Sequence, residues 1–497
     1  MTTATTSTAI RSYGLYIDGH ETTPKTTSSR TCPATGVTVS TFASASIEDT
    51  DRAITAARRA FEDGTWSHST GSVRSSTLLK LAALMAENSE KLARIEAEEV
   101  GKPIKLARGD VAGSIAMVEH AAALALSESG RTVDNVDPNV MSMIVREPAG
   151  VIGMITPWNF PLLQLMQKLP YALAAGCTTV IKPAEITAGT TVELARLCTA
   201  AGVPDGVVNV VTGRGSVVGN ALAASPEVDM LSFTGSTAVG ASITEASAPT
   251  TKRLSMELGG KAAAVVLPDA DLEQAANGIL FGALFNSGEC CVATTRLIVH
   301  EDIADELIAT VLRKLSTVKV GLPLNEESEV GSMIHEDHLN QVLSFIDTGV
   351  REGGTLLAGG SRLDTGDYAA GFFVEPTVID GVGRNDTIFR EEIFGPVLAV
   401  TRFTSVDEAV DLVNSVDYGL ANTVWASGIQ TALPLAKRLK SGSVWVNTTL
   451  ENAPQMPTGG VKRSGYGREM GVEGYEEFTE PKTITLRLEP AAQFFGE

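Results

Sequence analysis

From Met141 onward, short apolar runs alternate with helical patterns, and this alternation constrains the fold more than any other feature of the chain. Gly150-Val-Ile-Gly-Met-Ile-Thr-Pro, Thr178-Thr-Val-Ile-Lys-Pro, Val207-Val-Asn-Val-Val-Thr-Gly and Met230-Leu-Ser-Phe-Thr-Gly all end in turn residues. Helical patterns over 164–175, 188–201 and 216–224 separate them. Continuous apolar strands joined by helices predict a parallel sheet covered on both faces. The run from Ala262 continues that sheet or starts another. The theme recurs at 296–300, 398–403 and 442–447, with helices over 303–315, 335–353 and 428–440. The first part is helix-heavy, with helices predicted over 46–63, 72–99 and 110–127 behind a loose tail at 1–12. The alternating 483–488 run reads as an edge strand. At about 150 residues per domain, 497 residues make two to four domains. The pattern favours two α/β domains with chemistry between them.

Composition removes several function classes. With 43% hydrophobic and 20% charged residues, the chain buries large cores and is not disordered along its length. A net charge of −20 disfavours binding to a nucleic-acid backbone. No run approaches the roughly 18 apolar residues of a membrane helix, and the Thr-rich start lacks a signal-peptide core, so a cytoplasmic protein without a membrane partner is expected. Cys32, Cys177, Cys198, Cys290 and Cys291 make an odd set with no disulfide framework, expected as free thiols.

Three fragments carry candidate chemistry. In Phe285-Asn-Ser-Gly-Glu-Cys-Cys-Val, small flexible residues surround two thiols, which suits an approachable nucleophile. An inert buried pair fits that stretch equally well. In Met256-Glu-Leu-Gly-Gly-Lys, Glu257 has apolar and glycine neighbours that would raise its pKa toward that of a general base. Alone, it also reads as a helix cap or a partner of Lys261. In Ile155-Thr-Pro-Trp-Asn-Phe-Pro, rigid neighbours hold Asn159, whose amide could donate to an oxyanion, although an ordinary turn fits too. His335 and His338 are spaced as a helix pair on a solvated face, and no metal site is expected. Residues 212–215, Thr-Gly-Arg-Gly, lack the Lys-Ser/Thr ending of a phosphate loop.

Seven fragments in one order identify a resemblance: Pro157-Trp-Asn-Phe-Pro, Lys182-Pro-Ala-Glu185, Phe233-Thr-Gly-Ser236, Glu257-Leu-Gly-Gly-Lys261, Gly288-Glu-Cys-Cys291, Glu391-Glu-Ile-Phe-Gly-Pro396 and Pro457-Thr-Gly-Gly-Val-Lys-Arg-Ser-Gly465. Together they resemble the aldehyde dehydrogenase superfamily from about Tyr16 to Thr485. The resemblance implies an α/β fold: a Rossmann-like cofactor domain (1–127 and 148–258), an α/β catalytic domain (259–460) and a small β oligomerisation flap (128–147 and 478–497). The flap would pair a hairpin near 131–146 with the tail strand, giving a homodimer or homotetramer.

By this resemblance Cys291, not Cys290, is the nucleophile, with Glu289 where Gln is commoner. Its thiolate would attack an aldehyde while Asn159 and the Cys291 N–H hold the oxyanion. After hydride transfer, Glu257 would activate the water that hydrolyses the thioester. Lys168 and Glu469 match positions implied in proton relay, with a structural salt bridge as the alternative. Ser236 and the helix start behind Phe233, Thr234 and Gly235 would meet pyrophosphate. Lys182 and Glu185 would hold the adenosine ribose, and the Glu185 carboxylate favours NAD over NADP. Glu392 and Phe394 would contact the nicotinamide side, and Ile155, Thr156, Pro157, Trp158, Gly215 and Leu258 complete the implied cofactor set. Phe160, Gln164, Gln167, Cys290, Glu451, Asn452 and Thr458 are the substrate-channel candidates. Relatives specialised for small hydrophobic aldehydes often carry Met, Trp and Phe at some of these positions. Their polar replacements here predict a polar mouth for an aldehyde bearing an amine, hydroxyl or amide, without the aromatic cage of a trimethylammonium site. Loop drift without functional meaning is the alternative. A CoA-acylating enzyme and a non-enzymatic reuse of the fold are weaker readings, because Cys291, Glu257 and Asn159 are all present.

Overall fold

The computed structural model describes residues 9–22, 26–127, 130–490 and 495–496. The start of the expected loose tail (1–8) and parts of the expected flap boundaries (128–129, 491–494, 497) lie outside the described residues.

Five parallel strands form the centre of an eight-stranded sheet. Across the sheet they run Arg253–Glu257, Met230–Thr234, Val151–Ile155, Thr178–Lys182 and Val208–Val210. Gly465–Tyr466 closes one edge; Tyr16–Ile17 and His20–Glu21 close the other, all antiparallel. Alternate residues of each strand enter separate cores: Val151 and Ile155 face the helix Ile47–Glu62, while Ile152 and Met154 face helices Gly71–Glu87, Ile104–Ser127 and Leu169–Ala175. Each fully buried Val, Leu or Ile contributes about 1.5–3 kcal/mol, so neither face tolerates a polar run.

The Ala262 run starts a new sheet. Its seven strands are Thr355–Ala358, Thr377–Asp380, Val397–Phe403, Arg296–His300, Ala263–Val266, Ala421–Trp425 and Ser443–Val446, parallel except for the first. Ala263 and Val265 face one core and Ala264 and Val266 the other. A third sheet pairs Thr479–Arg487 with Val140–Pro148 along its full length, and Arg131–Asp137 on the outer side.

The predicted single helix over 72–99 is two helices, Gly71–Glu87 and Ser89–Val100. Asn88 breaks them: it leaves helical backbone geometry and its side-chain amide donates to the Leu84 carbonyl at 2.8 Å. The predicted helix over 164–175 splits into Pro161–Met166 and Leu169–Ala175. Pro170 has no N–H to continue the first helix, so it starts the second. Residues 11–13, read as tail, form a strand parallel to Thr38–Ala43. Among the described residues no helix is long and apolar enough to cross a membrane.

Candidate active site

Numbered by sequence, the central strands of the first sheet lie in the order 3-2-1-4-5. Neighbouring connections therefore leave in opposite directions between Val151–Ile155 and Met230–Thr234, and a crevice opens at the carboxyl ends of those strands. A cavity of about 250 Å³ occupies it, walled by Pro157, Trp158, Asn159, Thr234, Gly235, Ser236, Glu257, Leu258, Cys291, Glu392 and Phe394. Ser236 caps the helix Thr237–Ser247, accepting from the Val239 N–H at 3.4 Å. The hydroxyls of Thr156 and Thr234 are buried with no hydrogen-bond partner among the described residues. The unpaired buried hydroxyl of Thr234 and a helix N-terminus on one crevice wall fit a nucleotide cofactor with an anionic diphosphate.

The remaining cofactor candidates surround this crevice. Ile155 and Phe233 are buried beneath it. Lys182 ends the neighbouring strand, where its carbonyl accepts from the Thr156 N–H at 3.1 Å. Burial pushes the Lys182 ammonium pKa down, while the Glu185 charge opposes that shift. Neither Lys182, Glu185 nor Gly215 lines the cavity; Gly215 is exposed at the start of the π turn Gly215–Gly219, beyond the third strand. Glu392 accepts from the Gly260 N–H at 2.9 Å, and burial pushes its carboxyl up to about 7.

Cys291 reaches the crevice from the other sheet. It lies on the connection between the helix Leu272–Leu284 and the strand Arg296–His300. Asn286 (φ 50°), Ser287 (φ 59°) and Gly288 (φ 75°) turn this connection through left-handed backbone, costing about 1–3 kcal/mol at each non-glycine position. Hydrogen bonds hold the turn: Asn286 Nδ2 donates to the Asn159 carbonyl (3.0 Å), and Asn159 Nδ2 donates to the Glu289 carbonyl (2.9 Å). The second hydrogen on Asn159 Nδ2 remains available to an oxyanion. Gly260 is required by close approach, since a Cβ there would overlap the Cys291 carbonyl oxygen.

A second cavity, about 190 Å³, adjoins the first; Gln164, Thr234, Glu257, Leu258 and Cys291 lie on the walls of both. Phe160, Gln167, Cys290, Asn452, Thr458 and Glu469 line it as well. Glu451 does not: its side chain is exposed, 3.4 Å from the Thr448 hydroxyl. The expectation of no aromatic cage is corrected, because Phe281, Phe285 and Trp445 join the expected Phe160 on this channel. Phe160 stacks on Phe285 at 5.7 Å, and Phe285 packs on Phe281 at 5.3 Å. Phe281 and Phe285 stand four residues apart at a helix end, a spacing that signals a shared face. Nothing local signals that this face lines a channel.

The charges at the shared wall are coupled. Burial pushes the Glu257 carboxyl well up, against the Lys168 and Arg468 charges and the Gly460 N–H. Lys168, fully buried, pairs with Glu469, and burial lowers its pKa against the Glu257 and Cys291 charges. The hydrogen bond with Cys290, burial, and the Cys290, Glu257 and Glu392 charges raise the Cys291 thiol well above its ordinary range. A thiol in this setting needs a nearby base or cation to become a nucleophile, and the buried Lys168 ammonium interacts favourably with the Cys291 charge.

The expected solvated histidine face is also corrected. His338 is 8% exposed and lines the first cavity; its Nε2 is 2.7 Å from the Phe394 carbonyl. His335 caps the helix Glu336–Arg351, where its ring accepts from the His338 N–H at 3.0 Å. No metal-holding group of His, Cys, Asp and Glu occurs among the described residues. All five cysteines are free, and only Cys291 is not fully buried.

The chain is similar to known proteins in both sequence and fold. The aldehyde dehydrogenase family model matches residues 20–484. The betaine aldehyde dehydrogenase of Bacillus subtilis (strain 168) is 40% identical over 454 residues, covering 91% of this chain and 93% of its own. Aminoaldehyde dehydrogenase 2 of Pisum sativum, a peroxisomal protein, is 39% identical over 459 residues, 91% of each chain. The crystal structure of an NAD-dependent aldehyde dehydrogenase from Sinorhizobium meliloti superposes with a TM-score of 0.96 at 42% identity, covering 98% of this chain and 97% of that one. A Staphylococcus aureus betaine aldehyde dehydrogenase in complex with NAD+ superposes with a TM-score of 0.95 at 37% identity, covering 98% and 97%. A match that runs through both parallel sheets and into the Thr479–Arg487 strand, with relatives of this identity over nine-tenths of the length, makes the chain a member of the aldehyde dehydrogenase family.

Proposed function

We propose that the chain oxidises a polar, functionalised aldehyde to its carboxylic acid, with NAD as the hydride acceptor. The observation that carries this reading is the common wall of the two cavities, where Cys291 and Glu257 face the crevice and the channel together. Cys291 reacts as its thiolate, having given its proton to solvent, and its sulfur bonds to the aldehyde carbon. The free Asn159 N–H and the Cys291 backbone N–H hold the oxygen that becomes anionic. Bound in the crevice, NAD supplies a hydride acceptor, which leaves a thioester on Cys291. Glu257 then removes a proton from water as it attacks the thioester, and the acid leaves with the thiol restored. Lys168 steadies the Glu257 charge and, with Glu469, offers the proton a route out.

The substrate reading draws on the channel and on the relatives. Gln164, Gln167, Asn452 and Thr458 stand among four aromatic rings, a lining suited to a tail with a nitrogen or hydroxyl group. The names of the relatives, betaine and aminoaldehyde dehydrogenases, point the same way. The cofactor domain comprises 1–127 and 148–258, and the catalytic domain 259–460. The flap, 128–147 and 478–497, joins subunits into a dimer or a dimer of dimers through the outward Ile484 and Leu486 of its tail strand. The enzyme acts in the cytoplasm.

NADH absorbance with a panel of amino-, hydroxy- and plain alkyl aldehydes, with and without CoA, tests the activity. Fastest turnover with the polar members and no need for CoA is expected. Dependence on CoA would make the chain an acylating enzyme, and no NADH with any aldehyde would refute the reading.

A further inference from the structure

The histidine that the sequence leaves as a surface residue lies between the two loops that the chemistry needs. The Glu392–Phe394 loop holds Phe394 at φ 59°, a left-handed backbone costly for an aromatic residue, and this turns its ring into the crevice. His338 Nε2 is 2.7 Å from the Phe394 carbonyl, and its ring lies 5.8 Å from Trp158 and 6.1 Å from Phe394, edge to face with both. The same Nε2 is 3.6 Å from Glu289 Oε1, on the loop that carries Cys291 two residues later. That carboxyl also accepts from the Ile334 N–H at 2.9 Å, and the Ser287 hydroxyl accepts from the Gly331 N–H at 2.9 Å. The segment from Gly331 to His338 therefore grips the nucleophile loop at two points and the Phe394 loop at a third.

We propose that His338 is a positioning residue that joins the Phe394 loop to the Cys291 loop, so that the cofactor crevice and the nucleophile are set by one element. The neutral ring donates from Nε2 to the Phe394 carbonyl. This fixes the left-handed turn that no sequence preference of phenylalanine would hold. Trp158, which follows the central strand Val151–Ile155, packs against the same ring and ties the bridge to the first sheet. Loss of the imidazole frees the Phe394 carbonyl and removes the group facing Glu289, so both loops shift together. The inference rests on the proposed NAD-dependent reading for its first readout alone.

The test compares His338→Leu with His338→Gln, whose amide N–H reaches a similar point. Two quantities are measured: the Kd for NAD by calorimetry, and the rate of Cys291 alkylation by iodoacetamide without cofactor, located by mass spectrometry. Losing one buried hydrogen bond predicts a roughly 5- to 30-fold weaker Kd in His338→Leu. Its alkylation rate should change at least about 3-fold, and His338→Gln should restore both to within about 2-fold. Parental values in His338→Leu, a lowered Tm as its only change, or no rescue by His338→Gln would overturn the proposal. If the parent protein does not bind NAD, the proposed activity fails, while the alkylation rates still decide whether His338 sets the nucleophile loop.

Discussion

The crevice and the channel share Cys291 and Glu257 but are built from different material. Backbone shapes much of the crevice: the ends of parallel strands, a helix N-terminus, and Gly259 and Gly260, where a Cβ would overlap Glu392 and the Cys291 carbonyl. Side chains shape the channel, contributed by the helix Pro161–Met166, the end of Leu272–Leu284, the strand Ser443–Val446 and the 450–458 loop. A wall of strand ends is rigid and varies little with a single substitution. A wall of side chains is remodelled one residue at a time. The crevice should therefore govern whether the reaction occurs, and the channel which aldehyde enters.

The largest effects are expected at the shared wall. Cys291→Ala should lower kcat by about 10⁴-fold or more with NAD affinity unchanged, whereas Cys290→Ala, on the channel side alone, should stay within about 10-fold of the parent. Similar losses in both would mean that the two thiols share the role and that the division of the cavities is wrong.

Glu257→Gln should cut steady-state turnover by about 10²- to 10⁴-fold while retaining a burst of NADH whose amplitude matches the active sites. The pH dependence follows from the direction of the shift. A base acts when ionised, and burial raises the Glu257 pKa, so parent activity should climb with pH through a limb above the usual carboxylate range. Stopped-flow traces across pH check both. A missing burst would move Glu257 to thiolate formation.

Past the end of the Thr178–Lys182 strand, Glu185→Ser should shift the NAD-to-NADP ratio of kcat/KM toward NADP by roughly 5- to 150-fold. That corresponds to about 1–3 kcal/mol of screened repulsion of a 2′-phosphate. An unchanged ratio would place the ribose away from Glu185, which does not line the cavity itself.

The smallest change belongs to the channel. Phe281 is 49% exposed, so Phe281→Ala should fold normally and alter KM for the aldehyde by about 2- to 10-fold while leaving KM for NAD unchanged. A change in the KM for NAD would show that the two cavities are not separable.

Local patterns made much of this legible. The Val151–Ile155 and Thr178–Lys182 strands read directly as apolar runs, and the Cys290–Cys291 pair, Glu257 and Asn159 stood out as candidates because glycine, proline and small residues framed them, while the choice of Cys291 came from the family resemblance. Missed features lacked such a frame. Arg11–Tyr13 is three residues long and becomes a strand only by lying against Thr38–Ala43. Residues 72–99 keep a helical composition throughout, and one asparagine side chain bonding back to Leu84 decides the break.

The sequence by itself determined the alternation of strands and helices, the candidate reactive groups and the order of their motifs, because each is written in neighbouring residues. Tertiary structure decided which strand ends meet at the crevice, that Ala263 opens a second sheet, that His338 is buried against Phe394, and that Phe281, Phe285 and Trp445 join the expected Phe160 on the channel wall. Asn159 and Glu289 are 130 residues apart and touch at 2.9 Å. A contact of that separation depends on the register of two sheets and on the packing of every element between them, and no short window of sequence carries that information.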